Sequence, residues 1–423
     1  MSSTSLITFL GGARGKDQNN KAVYQQTPYE FPNGAIATTD YFAEALRQQE
    51  DFQEILIFGT KTSIWEKLAE DAGDLELALT VLEQTDEGAG GSGIDHDLLY
   101  RVQDKLSECW GKKVILHAGE KSITAENAQQ ELLRYVGVLE QIEGEEILLD
   151  FTHGFRSMPM LLNSAIDFWQ AMQPVQTPLR FVYGEFNRQG NSPVHYLDDI
   201  SQSQKAAQSV KLFFEKFDGT ELANLVTEFW PSGRKALIAF TRKIQENRLN
   251  EIEDPLRQLR NALNNMANLQ GAPPWFQPVH QRLGKWIKSV LQSKLPQTLA
   301  NLAAELASNR LYAQAIMALD EALLEAILIA NKQTSHELSF EERNELFRQT
   351  VSGVDKNFKE QFWKLHNLRN FVAHSGRKDI SQVQRPVGSP AEQFWKLHSF
   401  LKPVLSNPEH FLIEATQANT PSP

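Results

Sequence analysis

Between residues 6 and 200 the chain alternates short, densely apolar runs with longer segments of mixed pattern. The runs at 6–10, 54–58, 114–117, 147–150, 180–183 and 194–197 have strand length, and the first two close on glycine. The stretches 38–48, 125–139 and 159–172 place apolar residues at helical spacing, and Pro159 suits a first helical turn. Strands alternating with helices predict βαβ units, hence an α/β Rossmann-like N-terminal domain with a mostly parallel sheet. Ligands bind such sheets beyond the carboxyl ends of the strands.

From about residue 201 the pattern changes. Amphipathic stretches at 206–217, 222–229, 233–248, 255–269, 281–292, 298–308, 311–331, 340–351 and 358–373 predict an all-α region, broken at Gly271-Ala272-Pro273-Pro274. The expected organisation is an α/β domain over 1–204, a helical connector over 205–300 and a second helical domain over 301–423. The connector is open to a second reading, as part of an enlarged C-terminal domain. The hexapeptide Gln361-Phe362-Trp363-Lys364-Leu365-His366 recurs as Gln393-Phe394-Trp395-Lys396-Leu397-His398. It reads as two helices burying similar aromatic faces.

Composition narrows the function classes. The chain has 423 residues, of which 41% are hydrophobic, enough to bury a real core. Cys109 is the single cysteine, which excludes an internal disulfide and a cysteine-based zinc site. The first ten residues lack a basic signal-peptide region, and Asp320, Glu321 and Glu325 interrupt the most apolar helical stretch, 316–330. A cytoplasmic protein without a membrane span is expected. The net charge of −11 argues against broad electrostatic coating of nucleic acid, so any RNA chemistry needs a local basic site.

One segment is locally basic. Residues 355–385 hold Lys356, Lys359, Lys364, Arg369, Arg377, Lys378 and Arg385 against Asp355, Glu360 and Asp379. Within it, Arg369-Asn370-Phe371-Val372-Ala373-His374 places a permanent cation and a titratable imidazole at one helix end. Phe358, Phe362, Leu365 and Val372 are the expected core face. Metal-free RNA cleavage needs those two groups: a base for the 2′-hydroxyl proton and a cation for the charge on the pentacovalent phosphate. Arg369 and His374 lie about 140° apart around an ideal helix, so one phosphate can meet both only at a helix end or between two chains. Spacing alone is also met by an arginine snorkelling from the core edge and a helix-end histidine.

A second constellation is Asp150-Phe151-Thr152-His153-Gly154-Phe155-Arg156-Ser157, which follows an apolar strand and precedes a helix. Backbone N–H groups there, with Arg156, suit an anion, whereas Asp150 and Ser157 alone could be caps. Gly59-Thr60 with Ser63, and Leu10-Gly11-Gly12, end two further strands in small or hydroxylated residues, which together predict a shared pocket. Two motifs fail. Residues 11–17 are one residue short of a P-loop and carry Asp17 where Ser or Thr is needed, and the glycines of 88–93 follow no strand.

These residues carry a likeness. Asp150-Phe151-Thr152-His153-Gly154 resembles the D-x-T-H-G motif of a subgroup of CRISPR-associated Rossmann-fold (CARF) proteins, and Arg156, Leu10-Gly11, Gly59-Thr60 with Ser63 and Trp65, and Val182-Tyr183-Gly184 resemble the same subgroup. Arg369-Asn370 to His374 resembles the R-[N/H/D]-x-x-x-H pattern of HEPN (higher eukaryotes and prokaryotes nucleotide-binding) ribonucleases. The resemblance implies an endoribonuclease of type III CRISPR antiviral defence that cuts single-stranded RNA without a metal or other cofactor. It implies catalytic Arg369, Asn370 and His374 in a composite site of a homodimer. It implies a cyclic oligoadenylate activator, expected as the tetra-adenylate, near Gly11, Gly12, Thr60, Ser63, Asp150, Thr152, His153, Gly154 and Arg156. The loop 21–34, with Tyr24 and Tyr29, is the expected lid. Two other classes stay open: a non-catalytic messenger-sensing module, and a CARF domain that itself cleaves its cyclic ligand.

Overall fold

The computed structural model describes residues 3–11, 15–16, 22–23, 26–86, 90–120, 122–153, 157–187, 189–266, 270–333, 338–354, 356–373 and 389–408. The chain divides into two compact units, Met1–Gln202 and Ser203–Pro423.

The first unit is built on β1 (Thr4–Leu10), β2 (Gly15–Lys16), β3 (Ala22–Val23), β4 (Thr27–Glu30), β5 (Ile36–Thr39), β6 (Glu54–Thr60), β7 (Lys113–Gly119), β8 (Glu146–Asp150), β9 (Leu179–Gly184) and β10 (Ser192–Tyr196). Eight of these form one sheet in the order β5-β4-β10-β9-β8-β1-β6-β7, and β2 pairs with β3. The five strands β9-β8-β1-β6-β7 run parallel, while β10 turns antiparallel to β9 and β5 antiparallel to β4. The chain leaves β1 toward β6 and later returns to β8 on the other side. The carboxyl end of β1 is therefore a topological switch point, where open α/β sheets hold ligands.

Alternation along the strands fills both faces. Leu6, Leu10, Ile55 and Ile57 enter one core with α1 (Phe42–Gln49), α2 (Trp65–Asp71), α3 (Leu75–Thr85) and α4 (His96–Trp110). Ile7, Phe9, Leu56 and Phe58 enter the other with α5 (Ala128–Leu139) and α6 (Ser157–Met172). Both faces are covered, so the central strands read as continuous apolar runs.

Two expectations need correction, and two helices were missed. The stretch expected to be helical from 38 begins as β5, whose Thr38 and Thr39 favour extended backbone, and the helix starts at Phe42. The expected lid 21–34 contains sheet strand β4; its Tyr29 is buried and packs against Phe42 with ring centroids 4.7 Å apart. Tyr24 lies outside the described residues. The helices α3 and α4 were not anticipated. Helix α4 also shields the sheet edge: Gln103 Oε1 and Ser107 Oγ accept from the outward amides of Leu116 (3.0 Å) and Val114 (3.2 Å).

The second unit is helical: α7 (Asp198–Lys216), in which the division between the units falls, α8 (Thr220–Leu225), α9 (Pro231–Gln245), α10 (Glu253–Asn265), α11 (Phe276–Val290), α12 (Leu295–Ser308), α13 (Tyr312–Ala330), α14 (Phe340–Gly353), α15 (Lys356–Ala373) and α16 (Pro390–Ser406). They share one apolar core. Helix α13 touches α12, α14, α15 and α16, which is why it is apolar on most of its circumference. No helix among the described residues is long and apolar enough to cross a membrane.

Candidate functional site

The structure draws two groups of residues to the carboxyl end of β1. In the first, Ser63 Oγ donates to the Leu10 carbonyl (2.8 Å) and accepts from the Thr60 amide (2.9 Å), while the Ile64 amide reaches the Gly11 carbonyl at 3.4 Å. Trp65 closes the turn by donating from Nε1 to the Thr60 carbonyl at 2.8 Å. A side chain at Gly59 would put its Cβ 2.4 Å from the Trp65 ring, so the turn needs glycine. Gly11, Thr60 and Ser63 thus come together as expected, but the hydroxyls of Thr60 and Ser63 are buried. They clasp two strand ends together.

The second group centres on Asp150, whose side chain is wholly buried. Its Oδ2 accepts from Thr8 Oγ1 at 2.6 Å and its Oδ1 from the Thr152 amide at 2.8 Å. Complete burial pushes the carboxyl up to about 6, against the pull of the Thr152 and Thr8 hydrogen bonds. Thr152 Oγ1 accepts from the Gly184 amide (2.9 Å), and the Phe42 amide donates to His153 Nε2 (3.2 Å), leaving both side chains partly exposed. Asp150, Thr152 and His153 therefore knit β1, β8, β9 and the start of α1 around the switch point. Gly12, Gly154 and Arg156 lie outside the described residues.

In the helical unit, Arg369 and Asn370 sit near the C-terminal end of α15, where Arg369 Nη1 donates to Asn370 Oδ1 at 3.0 Å. His374 lies outside the described residues. The core face is Phe362, Leu365 and Leu368, with Phe358 and Val372 packed at its margin. Arg369 is half-buried beside that face because it lines a cavity of about 330 Å³ between α13, α14 and α15. Asp320, Glu321, Arg343, Phe347, Arg348, Trp363, His366 and Asn370 are among the other lining residues. Asp320 Oδ2 lies 3.8 Å from Arg369 Nε, and its Oδ1 lies 3.6 Å from His366 Nδ1. Arg343 reaches Glu321 at 3.3 Å and Glu325 at 3.7 Å. Burial pushes the Glu321 carboxyl up; Arg343 opposes the shift, while Asp320 and Glu325 add to it.

Asp320, His366 and Arg343 escaped the reading of the sequence as site residues. The signal was present: Asp320 breaks the most apolar helical stretch of the chain, and a buried charge there requires partners. The repeated hexapeptide packs as expected, Phe362 and Phe394 being fully buried. Its histidines differ in surroundings, since His398 Nε2 meets the Ala300 carbonyl at 3.2 Å.

Comparison with known proteins bears on the first unit. Residues 5–180 match the family model described as "CRISPR system endoribonuclease Csx1, CARF domain". The chain is also 22% identical over 286 residues to the CRISPR-associated protein MJ1674 of Methanocaldococcus jannaschii, an alignment spanning 61% of this chain and 44% of the relative. The chain thus covers under half the length of that curated relative. By the match over 5–180, which takes in both strand-end clusters, the N-terminal unit is a CARF domain, and the chain is a CARF-containing relative of CRISPR-associated proteins.

Proposed function

We propose that the protein is an endoribonuclease of the HEPN type, serving type III CRISPR defence, in which a cyclic oligoadenylate on the CARF domain switches on cleavage of single-stranded RNA in the helical unit. The observation that carries this reading is the placement of Arg369 and Asn370 on a cavity that also holds Arg343, Arg348 and His366. Three guanidiniums against the carboxylates of Asp320 and Glu321 leave the lining of that cleft net positive in an acidic protein, which suits a polyanion. The name of the matching family, an endoribonuclease, agrees with it, although the match is confined to the CARF domain.

In the proposed reaction, the RNA 2′-hydroxyl attacks the adjacent phosphorus and His374 takes its proton. Arg369 stabilises the charge on the equatorial oxygens, and Asn370 holds the guanidinium in place through Nη1. The P–O5′ bond breaks, and the proton taken by His374 passes to the leaving O5′, giving a 2′,3′-cyclic phosphate and a 5′-hydroxyl. Two chains of a homodimer would complete the site, and the messenger would act by binding one arrangement of the dimer more tightly. The first measurement is cleavage of a labelled single-stranded RNA in EDTA, with and without cyclic tetra-adenylate. Cleavage is expected only with the messenger, and both Arg369→Ala and His374→Ala should lower kcat at least a hundredfold. Full activity in His374→Ala would sink the catalytic assignment, and tight messenger binding without RNA cleavage would favour a sensing module.

A further inference from the structure

The cavity beside Arg369 holds a carboxylate that the proposed reaction does not use. Asp320 is only 2% exposed, on a largely apolar helix that also carries Glu321 and Glu325. A buried carboxylate persists when cations and hydrogen bonds compensate it. The nearby charges divide into two sets. Arg343 lies against Glu321 and Glu325, at 3.3 and 3.7 Å, whereas Asp320 faces Arg369 and His366, at 3.8 and 3.6 Å. Among the described residues, Asp320 Oδ1 and His366 Nδ1 are both buried without a hydrogen bond, and each is within reach of the other. A small contraction would bring them to hydrogen-bond distance.

The duplicated hexapeptide provides an internal control. His398, the counterpart of His366, sets its ring nitrogen against the Ala300 carbonyl at 3.2 Å, as an ordinary core histidine does. His366 has the same neighbours along its helix but is aimed at a buried charge, and that charge also touches the motif arginine. His366, Arg369 and Asn370 fall at i, i+3 and i+4, on one face of α15.

Resting on the ribonuclease reading, we propose that Asp320 is the positioning residue of that site: it orients Arg369 from beneath and is held in turn by His366. With Nε turned to Asp320 and Nη1 donating to Asn370, Nη2 is the edge of the fork left to meet a phosphate. A guanidinium fixed on two sides presents that edge without the loss of rotamer freedom a loose arginine suffers when it binds.

Two measurements on the full chain test this, using Asp320→Asn, Asp320→Glu, His366→Gln, Arg369→Met and the double variant Asp320→Asn/Arg369→Met. In thermal unfolding, Arg369→Met is expected to lower Tm in the parent, because it strands a buried carboxylate. In the Asp320→Asn background it should lower Tm by half as much or less. Additive shifts would overturn the proposal, and His366→Gln paired with Arg369→Met provides the same cycle should Asp320→Asn not fold. In RNA cleavage with saturating cyclic tetra-adenylate, Asp320→Asn should lower kcat about tenfold or more with KM within about threefold, and Asp320→Glu should recover part of it. Unchanged kcat in Asp320→Asn would overturn the proposal, as would equal losses in Asn and Glu variants. A parent chain that cleaves no RNA would remove the ribonuclease reading instead, while the unfolding cycle would still decide whether Asp320 holds the arginine.

Discussion

Two titratable groups of the CARF domain, one buried and one partly buried, lean in opposite directions. Asp150 is pushed up to about 6 by burial, and His117, between Phe58 and Tyr135, is pushed down to about 4 by burial and by Arg134. A carboxyl raised in the folded state stabilises it fully below its ordinary value, near 4, and that contribution fades as pH rises through about 6. A depressed histidine stabilises the fold above 6.5, and its contribution is lost as pH falls through about 4. The two windows overlap, so each masks the other in the parent protein. Asp150→Asn should gain stability relative to the parent as pH rises from 4.5 to 7, by an amount on the order of 2 kcal/mol. His117→Phe should gain relative to the parent as pH falls over the same range. Denaturant midpoints of the CARF transition at both pH values decide this, and parallel pH curves for variant and parent would refute it. Asp150 could be read from the sequence because it ends an apolar run in a polar turn. Its partner Thr8 could not, since one threonine inside a buried strand looks like any β-branched residue until the register with β8 is known.

At the scale of elements, the strand ends were legible and their joinery was not. The runs that became β1, β6, β7 and β8 announce themselves because strands buried on both faces are continuously apolar. Strands β4 and β5 are four residues each, with alternating burial, and give no such signal. The Ser63 clasp is likewise invisible in one dimension, for it ties Ser63 to Leu10 across 53 residues. Ser63→Ala removes the acceptor for the buried Thr60 amide and the donor to the Leu10 carbonyl. It should cost about 1–3 kcal/mol of CARF stability. If the clasp shapes the floor of the messenger site, cyclic tetra-adenylate should also bind more weakly to this variant in calorimetry. Wild-type stability and affinity together would show that the turn is held by Trp65 alone.

On the scale of the molecule, the proposed reaction asks whether Arg369 and His374 act within one chain or across two. Arg369 is near the C-terminal end of α15, beside Asp320, and an ideal helix turns through about 140° over the five residues to His374. A pair at that spacing meets one phosphate only at a helix end, or where a second chain brings its own residues to the same cleft. In a twofold dimer, each chain meets the other through the same patch, so an arginine from one chain can work with a histidine from its partner. Arg369→Ala and His374→Ala should each be inactive alone. Mixed, unfolded and refolded together, about half of the dimers would contain one chain of each kind, and each of these would keep one intact arginine and one intact histidine. The mixture should then recover cleavage well above either parent variant, up to about a quarter of the wild-type rate if one of two equivalent pairings survives. No recovery, with exchange of chains verified by mass spectrometry, would place the chemistry within a single chain. Recovery would instead make the dimer the catalytic unit, and a messenger bound at the CARF domains could then act by setting the distance between the two halves.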